Sequence, residues 1–211
     1  MQLVDDNLQV MQAYAEQVTD AELDPIIESS TWLGTIDEYL QRPKLADSGL
    51  SDFNLYSSGF ADFNGAELVA GWYRQGFPAI LCTRYEKTHI EQIRPLRRRI
   101  PVMLTPDDLN QDSIRFGLEE CVNELQGNFR AHRRPWRTQI KFLEEQDAEQ
   151  QRISYLVEVP AWGLTEIIRV RAVDLPLGSN ATVNPGQRCH AYVNLGAETP
   201  EDMYIFDWDF S

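Results

Sequence analysis

The sequence predicts an α/β domain followed by an all-β domain, and three observations predict it. Through residue 125, short apolar runs of strand length alternate with longer stretches whose apolar residues recur at helical spacing, the pattern of a parallel sheet covered by helices. Gln126, Gly127 and Asn128 then stop the last helical stretch. Beyond them apolar residues alternate at period two, in short segments separated by Gly, Pro and acidic turns. The expected domains are therefore 1–127 and 128–211.

Taken in chain order, strands are expected at 2–5, 25–28, 53–57, 79–83 and 100–104, and helices at 8–18, 31–41, 65–75, 88–97 and 110–125. Asn64 stands directly before Gly65 and Asp108 lies near the last helix, where a side-chain oxygen can accept from the unpaired N–H groups of a first turn. The stretch 42–51, with Pro43, Gly49 and several polar residues, reads as a surface loop. In the second domain strands are expected at 138–143, 153–159, 166–172, 188–195 and 203–208. A small antiparallel β-barrel follows, because curling the sheet on itself removes exposed edges. Tyr204, Phe206, Trp208 and Phe210 fall at period two with Asp207 and Asp209 between them, so these rings, with Trp136 and Trp162, are expected to fill that core.

The 211 residues carry a formal charge of −14, of which the first 127 contribute −11 and the remainder −3. Such a chain repels nucleic acid and anionic lipid, so neither is an expected partner. Cys82, Cys121 and Cys189 lie far apart without CxxC spacing and read as reduced, buried thiols. No basic stretch leads into an apolar one at the N-terminus and no segment reaches membrane-spanning length, which points to the cytoplasm. No nucleophile stands beside a base and no cysteine–histidine cluster exists, so neither an enzyme, a resident metal nor a cofactor is expected.

LVDD at 3–6, NG at 64–65, AILCT at 79–83 and LTP at 104–106 resemble, in order and spacing, the landmarks of the receiver domains of bacterial response regulators. The resemblance covers residues 1–125. It implies a flavodoxin-like, doubly wound parallel sheet of five strands, with the functional groups at the strands' carboxyl ends. It also implies two-component chemistry: a carboxylate ending the third strand takes a phosphoryl group, an acidic pair holds Mg²⁺, and a lysine and a hydroxyl neutralise the developing charge. Carried over, Asp5 and Asp6 are the acidic pair and Thr83 the hydroxyl, while Thr105 replaces the lysine and Val102 stands where many receivers place an aromatic. With the third strand read as 53–57, Ser57 takes the place of the phosphoacceptor. The expected molecule is then a pseudo-receiver that works without phosphorylation, with at most a weak Mg²⁺ site at Asp5 and Asp6. Asp62, just beyond Ser57, is the displaced acceptor of an alternative reading.

Two basic runs stand out against the acidic background. Arg94, Arg97, Arg98 and Arg99 lie on the stretch that receivers use for partners and for dimers, so a protein partner, or a second copy of the chain, is expected there. Arg130, Arg133, Arg134 and Arg137 contain two RxxxR spacings and resemble the arginine motif that precedes PilZ barrels, which implies cyclic di-GMP as an alternative ligand. The second PilZ motif is unmatched, since the loops read DLPLG at 174–178 and NATVNPG at 180–186. The resulting expectation is a non-catalytic signalling regulator acting through protein–protein contact, with the cyclic-di-GMP adaptor as its alternative.

Overall fold

Gln2–Val4 (β1), Ile26–Ile27 (β2), Gly49–Asp52 (β3), Ala79–Cys82 (β4) and Val102–Leu104 (β5) form one parallel sheet in the order β2-β1-β3-β4-β5. This is the flavodoxin-like order, in which the strand order reverses beside β1 and opens a crevice at the carboxyl ends of β1 and β3. The computed structural model describes residues 1–56, 59–84, 90, 92–148, 152–163, 166–177 and 182–211. The chain divides into two units, Met1–Glu86 with Arg99–Asn128, and Lys87–Arg98 with Phe129–Ser211.

In the first unit, helices Leu8–Asp20 (α1), Ile36–Gln41 (α2), Gly65–Arg74 (α3) and Gln111–Leu125 (α4) accompany the sheet. Each begins at a residue whose side chain accepts the first free N–H groups. Asn64 does so for α3 in a reciprocal box with Glu67, at 3.0 and 2.8 Å. The cap of α4 is Asn110 and not Asp108, whose carboxylate instead accepts from the Thr105 hydroxyl. That helix ends as its sequence implies, with Gly127 at φ 87° and Asn128 N–H returning to Asn123 O at 2.9 Å. Leu3, Leu50, Ile80 and Val102 from the sheet bury against Met11, Val18, Ile114 and Cys121.

The third strand departs from expectation. It is Gly49–Asp52, beginning inside the stretch that reads as a loop and ending just past it, and Ser57 lies outside the described residues. Its composition conceals it: Ser51 is polar yet fully buried, and Gly49 has no side chain. Tertiary packing supplies the missing apolar surface, for a Cβ on Gly49 would come within 2.5 Å of the Trp72 ring. Phe53 and Leu55, which suggest a strand, are buried in the turn that follows.

In the second unit Trp136–Ala148 (β6), Arg152–Glu158 (β7), Ile168–Arg171 (β8), Arg188–Val193 (β9) and Ile205–Asp209 (β10) make an antiparallel sheet curled as a half-barrel, in the order β10-β9-β6-β7-β8. Ile140, Phe142, Tyr155, Val157, Ile168 and Val193 fill its concave side, and Trp162 is buried with its indole N–H on Ala197 O at 2.8 Å. Trp136, by contrast, is 48 % exposed. The period of the last strand is also interrupted. A bulge between Phe206 and Asp209, with Asp207 at φ 50°, puts Phe206 on the side of Tyr192, 5.5 Å away, while Trp208 and Phe210 pack on Phe142. Of the helix expected at 88–97, residues 88, 89 and 91 fall outside the described residues; 92–93 are helical, and a turn at 94–96 leads into a 3-10 turn, Arg97–Arg99.

Candidate functional site

Asp5 follows β1 directly, Asp52 ends β3, Thr83 follows β4 and Thr105 follows β5, so the carboxyl edge of the sheet gathers two carboxylates and two hydroxyls. The register fixes their neighbourhood: Val4 pairs with Ser51, and Asp52 with Cys82. Gly65 matters here as well as to its helix. Its N–H donates to Phe53 O at 3.0 Å, and a Cβ on it would stand 1.7 Å from the carbonyl oxygen of Asp52. Only glycine lets the start of α3 approach the end of β3 so closely.

Asp5 is 4 % exposed, and its Oδ1 accepts from Asn7 N–H at 2.7 Å. Burial first, and then the negative charges of Asp52 and Asp6, push its carboxyl up to about 7 against the opposing pull of that hydrogen bond. Asp6 is exposed at the rim. Asp52 Oδ2 accepts from Asn54 N–H at 2.6 Å. Beneath them the Tyr14 hydroxyl meets Cys82 Sγ at 3.3 Å, and burial raises the thiol to about 11, with Asp52 and Asp5 adding to the effect. This thiol stays protonated and unreactive at neutral pH.

The two hydroxyls behave differently. Thr83 is 2 % exposed and its Oγ1 has no hydrogen-bond partner among the described residues. A buried hydroxyl left unsatisfied is costly, and a ligand oxygen would relieve it. Thr105 is already engaged, donating to Asp108 Oδ2 at 2.6 Å and accepting from Asp108 N–H at 3.2 Å. Arg84, next after Thr83, brings a cation to this edge, since its charge acts on Cys82. Among the described residues no three His, Cys, Asp or Glu side chains already converge as a metal-ligand set.

The basic runs are spent largely on structure in the second unit. Arg97, expected at a docking face, is 5 % exposed and pairs with Asp202 at 3.2 Å. Arg94 donates to the carbonyls of Pro200 and Met203, and Arg98 lies over the ring of Phe129 at 4.6 Å. Only Arg99 of the four is exposed. Arg133 is 3 % exposed; it donates to the carbonyls of Arg97 and Arg98 at 3.0 and 3.2 Å and stacks on Tyr204, whose hydroxyl donates to Arg133 O. Arg134 covers Trp136 at 4.7 Å, Arg137 pairs with Asp209 at 2.7 Å, and Arg130 is exposed. Arg133, Arg134 and Arg137 of the second run thus have different partners in the fold.

Asp52 is absent from the residues that the sequence singles out because the third strand is expected downstream, at 53–57. The signal that could have found it is the interval from a buried small-residue run to the Asn64–Gly65 helix start. Among the described residues no helix is long and apolar enough to cross a membrane. No protein-family model matches the chain, and no curated protein does. Among solved structures it is similar to NtrX from Brucella abortus, determined in complex with ADP, at 15 % identity and a TM-score of 0.43. The similarity covers 59 % of this chain, which spans 27 % of that one.

Proposed function

We propose that the first unit is a phosphoryl acceptor of receiver type, with Asp52 as the nucleophile, in a signalling regulator whose second unit carries the output. The observation that carries this reading is the end of β3: it is an aspartate whose charge acts on Asp5, and the register sets it beside the strand that leads to the unsatisfied Thr83 hydroxyl. The reading replaces the phosphorylation-independent one, whose premise was a serine at that strand end.

In the proposed step an Asp52 carboxylate oxygen attacks the phosphorus of a phosphohistidine or of acetyl phosphate. The P–N bond, or the P–O bond to the acetyl group, breaks, and the imidazole takes a proton from water or the acetate leaves as the anion. The product is an acyl phosphate on Asp52. Thr83 Oγ1 donates a hydrogen bond to an oxygen of the transferred group, and Arg84 offsets part of the charge that develops there. Asp5, Asp6 and Asp52 offer carboxylate oxygens, the ligand type that suits a hard divalent cation. Such a cation, held by these carboxylates, would supply charge neutralisation at the phosphoryl oxygens.

One observation favours a second reading. Thr105 stands where the resemblance expects a lysine, and its hydroxyl is turned to Asp108. A unit lacking that ammonium suits docking without phosphotransfer. Incubation with acetyl phosphate and Mg²⁺, followed by intact-mass measurement, separates the two. The acceptor reading expects an 80 Da adduct, labile to hydroxylamine, that Asp52→Asn abolishes and Ser57→Ala leaves in place. No adduct, or one that survives Asp52→Asn, returns the docking reading.

A further inference from the structure

Residues 1–73 hold thirteen Asp and Glu against two basic residues, Arg42 and Lys44, whereas residues 74–127 hold eight acidic and eight basic. The net charge of the first 127 residues therefore resides in the first 73. Those residues supply β1, β2, β3, α1 and α2, and the order β2-β1-β3-β4-β5 collects the three strands on one side of the sheet. The first unit is thus electrically lopsided, anionic around β2-β1-β3 and neutral around β4 and β5. A one-sided field of this kind steers cationic partners towards that half and repels nucleic acid and anionic lipid.

Two large rings stand out on the anionic half. Trp32, in the loop after β2, is 54 % exposed, and Tyr56, in the loop after β3, is 65 % exposed. Each adjoins a fully buried leucine, Leu33 and Leu55, which anchors its loop. The two loops are also joined to each other: Leu33 N–H donates to Phe60 O at 2.8 Å and Asp62 N–H to Gly34 O at 3.1 Å, while Tyr56 O accepts from Gly59 N–H at 3.0 Å. The backbone that carries both rings is therefore fixed, and a partner meets them at a small ordering cost. A lone exposed apolar residue needs no explanation, but two rings on one pair of joined loops form a surface of the kind that anchors protein contacts. The faces of Trp and Tyr also attract the cationic ends of Lys and Arg.

We infer that the rim formed by these two loops docks a protein segment in which Lys or Arg stands beside apolar residues, with Trp32 and Tyr56 as its anchors and the exposed Asp37 and Asp62 on the same loops and helix start adding to the attraction. The inference does not rest on phosphoryl transfer by Asp52. Its test is fluorescence anisotropy of a labelled amphipathic helical peptide of Leu and Lys, titrated with the full chain, beside the same peptide with Glu in place of Lys. The Lys peptide should bind saturably and the Glu peptide should not. The double substitution Trp32→Ala, Tyr56→Ala should weaken the Lys peptide by about tenfold, and Trp136→Ala, at a comparably exposed ring of the second unit, should leave it unchanged. Absence of saturable binding, undiminished binding by the double variant, or an equal loss in Trp136→Ala would overturn the inference. So would a dimer of the chain in sedimentation equilibrium that Trp32→Ala dissolves, since the rim would then belong to a second copy. Because all three rings are exposed, these variants test the surface without disturbing the core.

Discussion

The backbone of Asp52 and the α-carbon of Gly65 approach so closely that a Cβ on the glycine would stand 1.7 Å from the Asp52 carbonyl oxygen. The start of α3 is thereby locked to the end of β3, and the capping box of Asn64 and Glu67 holds the helix in that position. Position 65 therefore controls the proposed nucleophile as well as stability. Gly65→Ala should cost about 2–4 kcal/mol, since the added atom overlaps backbone, which cannot swing aside as a side chain can. Urea unfolding measures that loss. Acetyl-phosphate labelling at a urea-free, fully folded temperature should fall as well, because Asp52 is displaced; an alanine variant as stable as wild type would refute the close approach.

The buried acidic pocket sets a dependence on pH. Asp5 is raised from 3.8 to about 7, so between those values the folded protein holds a proton that the unfolded chain releases. Stability contributed by that proton is complete below pH 3.8 and is lost as pH rises towards about 7. Above that, ionised Asp5 costs on the order of 1–3 kcal/mol, an amount that Mg²⁺ should partly restore if the carboxylates hold it. Asp5→Asn should accordingly be more stable than wild type at pH 8, and by a clearly smaller margin at pH 5, where only part of the proton's contribution has been lost. It should also lose the Mg²⁺-induced rise in Tm. Chemical unfolding at the two pH values, with and without Mg²⁺, checks both points; a wild-type stability that climbs from pH 5 to pH 8 in step with the variant would contradict the raised carboxyl.

What was legible in the sequence is what local chemistry determines. The change of period after Gly127, the cap at Asn64, and Asp5 and Thr83 at strand ends are written in neighbouring residues, and the expected α/β plus antiparallel architecture is borne out. The third strand was not legible because Gly49 and Ser51 owe their burial to Trp72 and Gly65, which lie elsewhere in the chain. The bulge at Asp207 hid for a similar reason: the period of rings in the sequence continues through it, while the ladder with β9 does not. Arg97 and Arg133 were unreadable for another cause. Arginines are exposed by default, and only the carbonyls and rings that receive their donors in the fold reverse that rule.

Arg133 and Arg130, three positions apart in one basic run, should therefore respond to substitution in opposite ways. Arg133 spans the carbonyls of Arg97 and Arg98 and lies on Tyr204, so it ties the segment Lys87–Arg98 to the strand that begins at Ile205. Arg133→Met keeps the apolar bulk but strips donors from two carbonyls in a buried setting, and should cost about 2–4 kcal/mol. Arg133→Lys should recover only part of this, because an ammonium cannot reproduce a planar fork that both bridges two acceptors and stacks on a ring. Arg130→Met, at an exposed position, should change stability by less than about 0.5 kcal/mol. Urea unfolding gives the three magnitudes. Hydrogen exchange then locates the loss: amides of β9 and β10 should lose protection in Arg133→Met while those of β1 and β4 keep it, since the two sheets belong to separate units. Equal loss in both sheets would mean that Arg133 supports the whole chain and not the second unit alone.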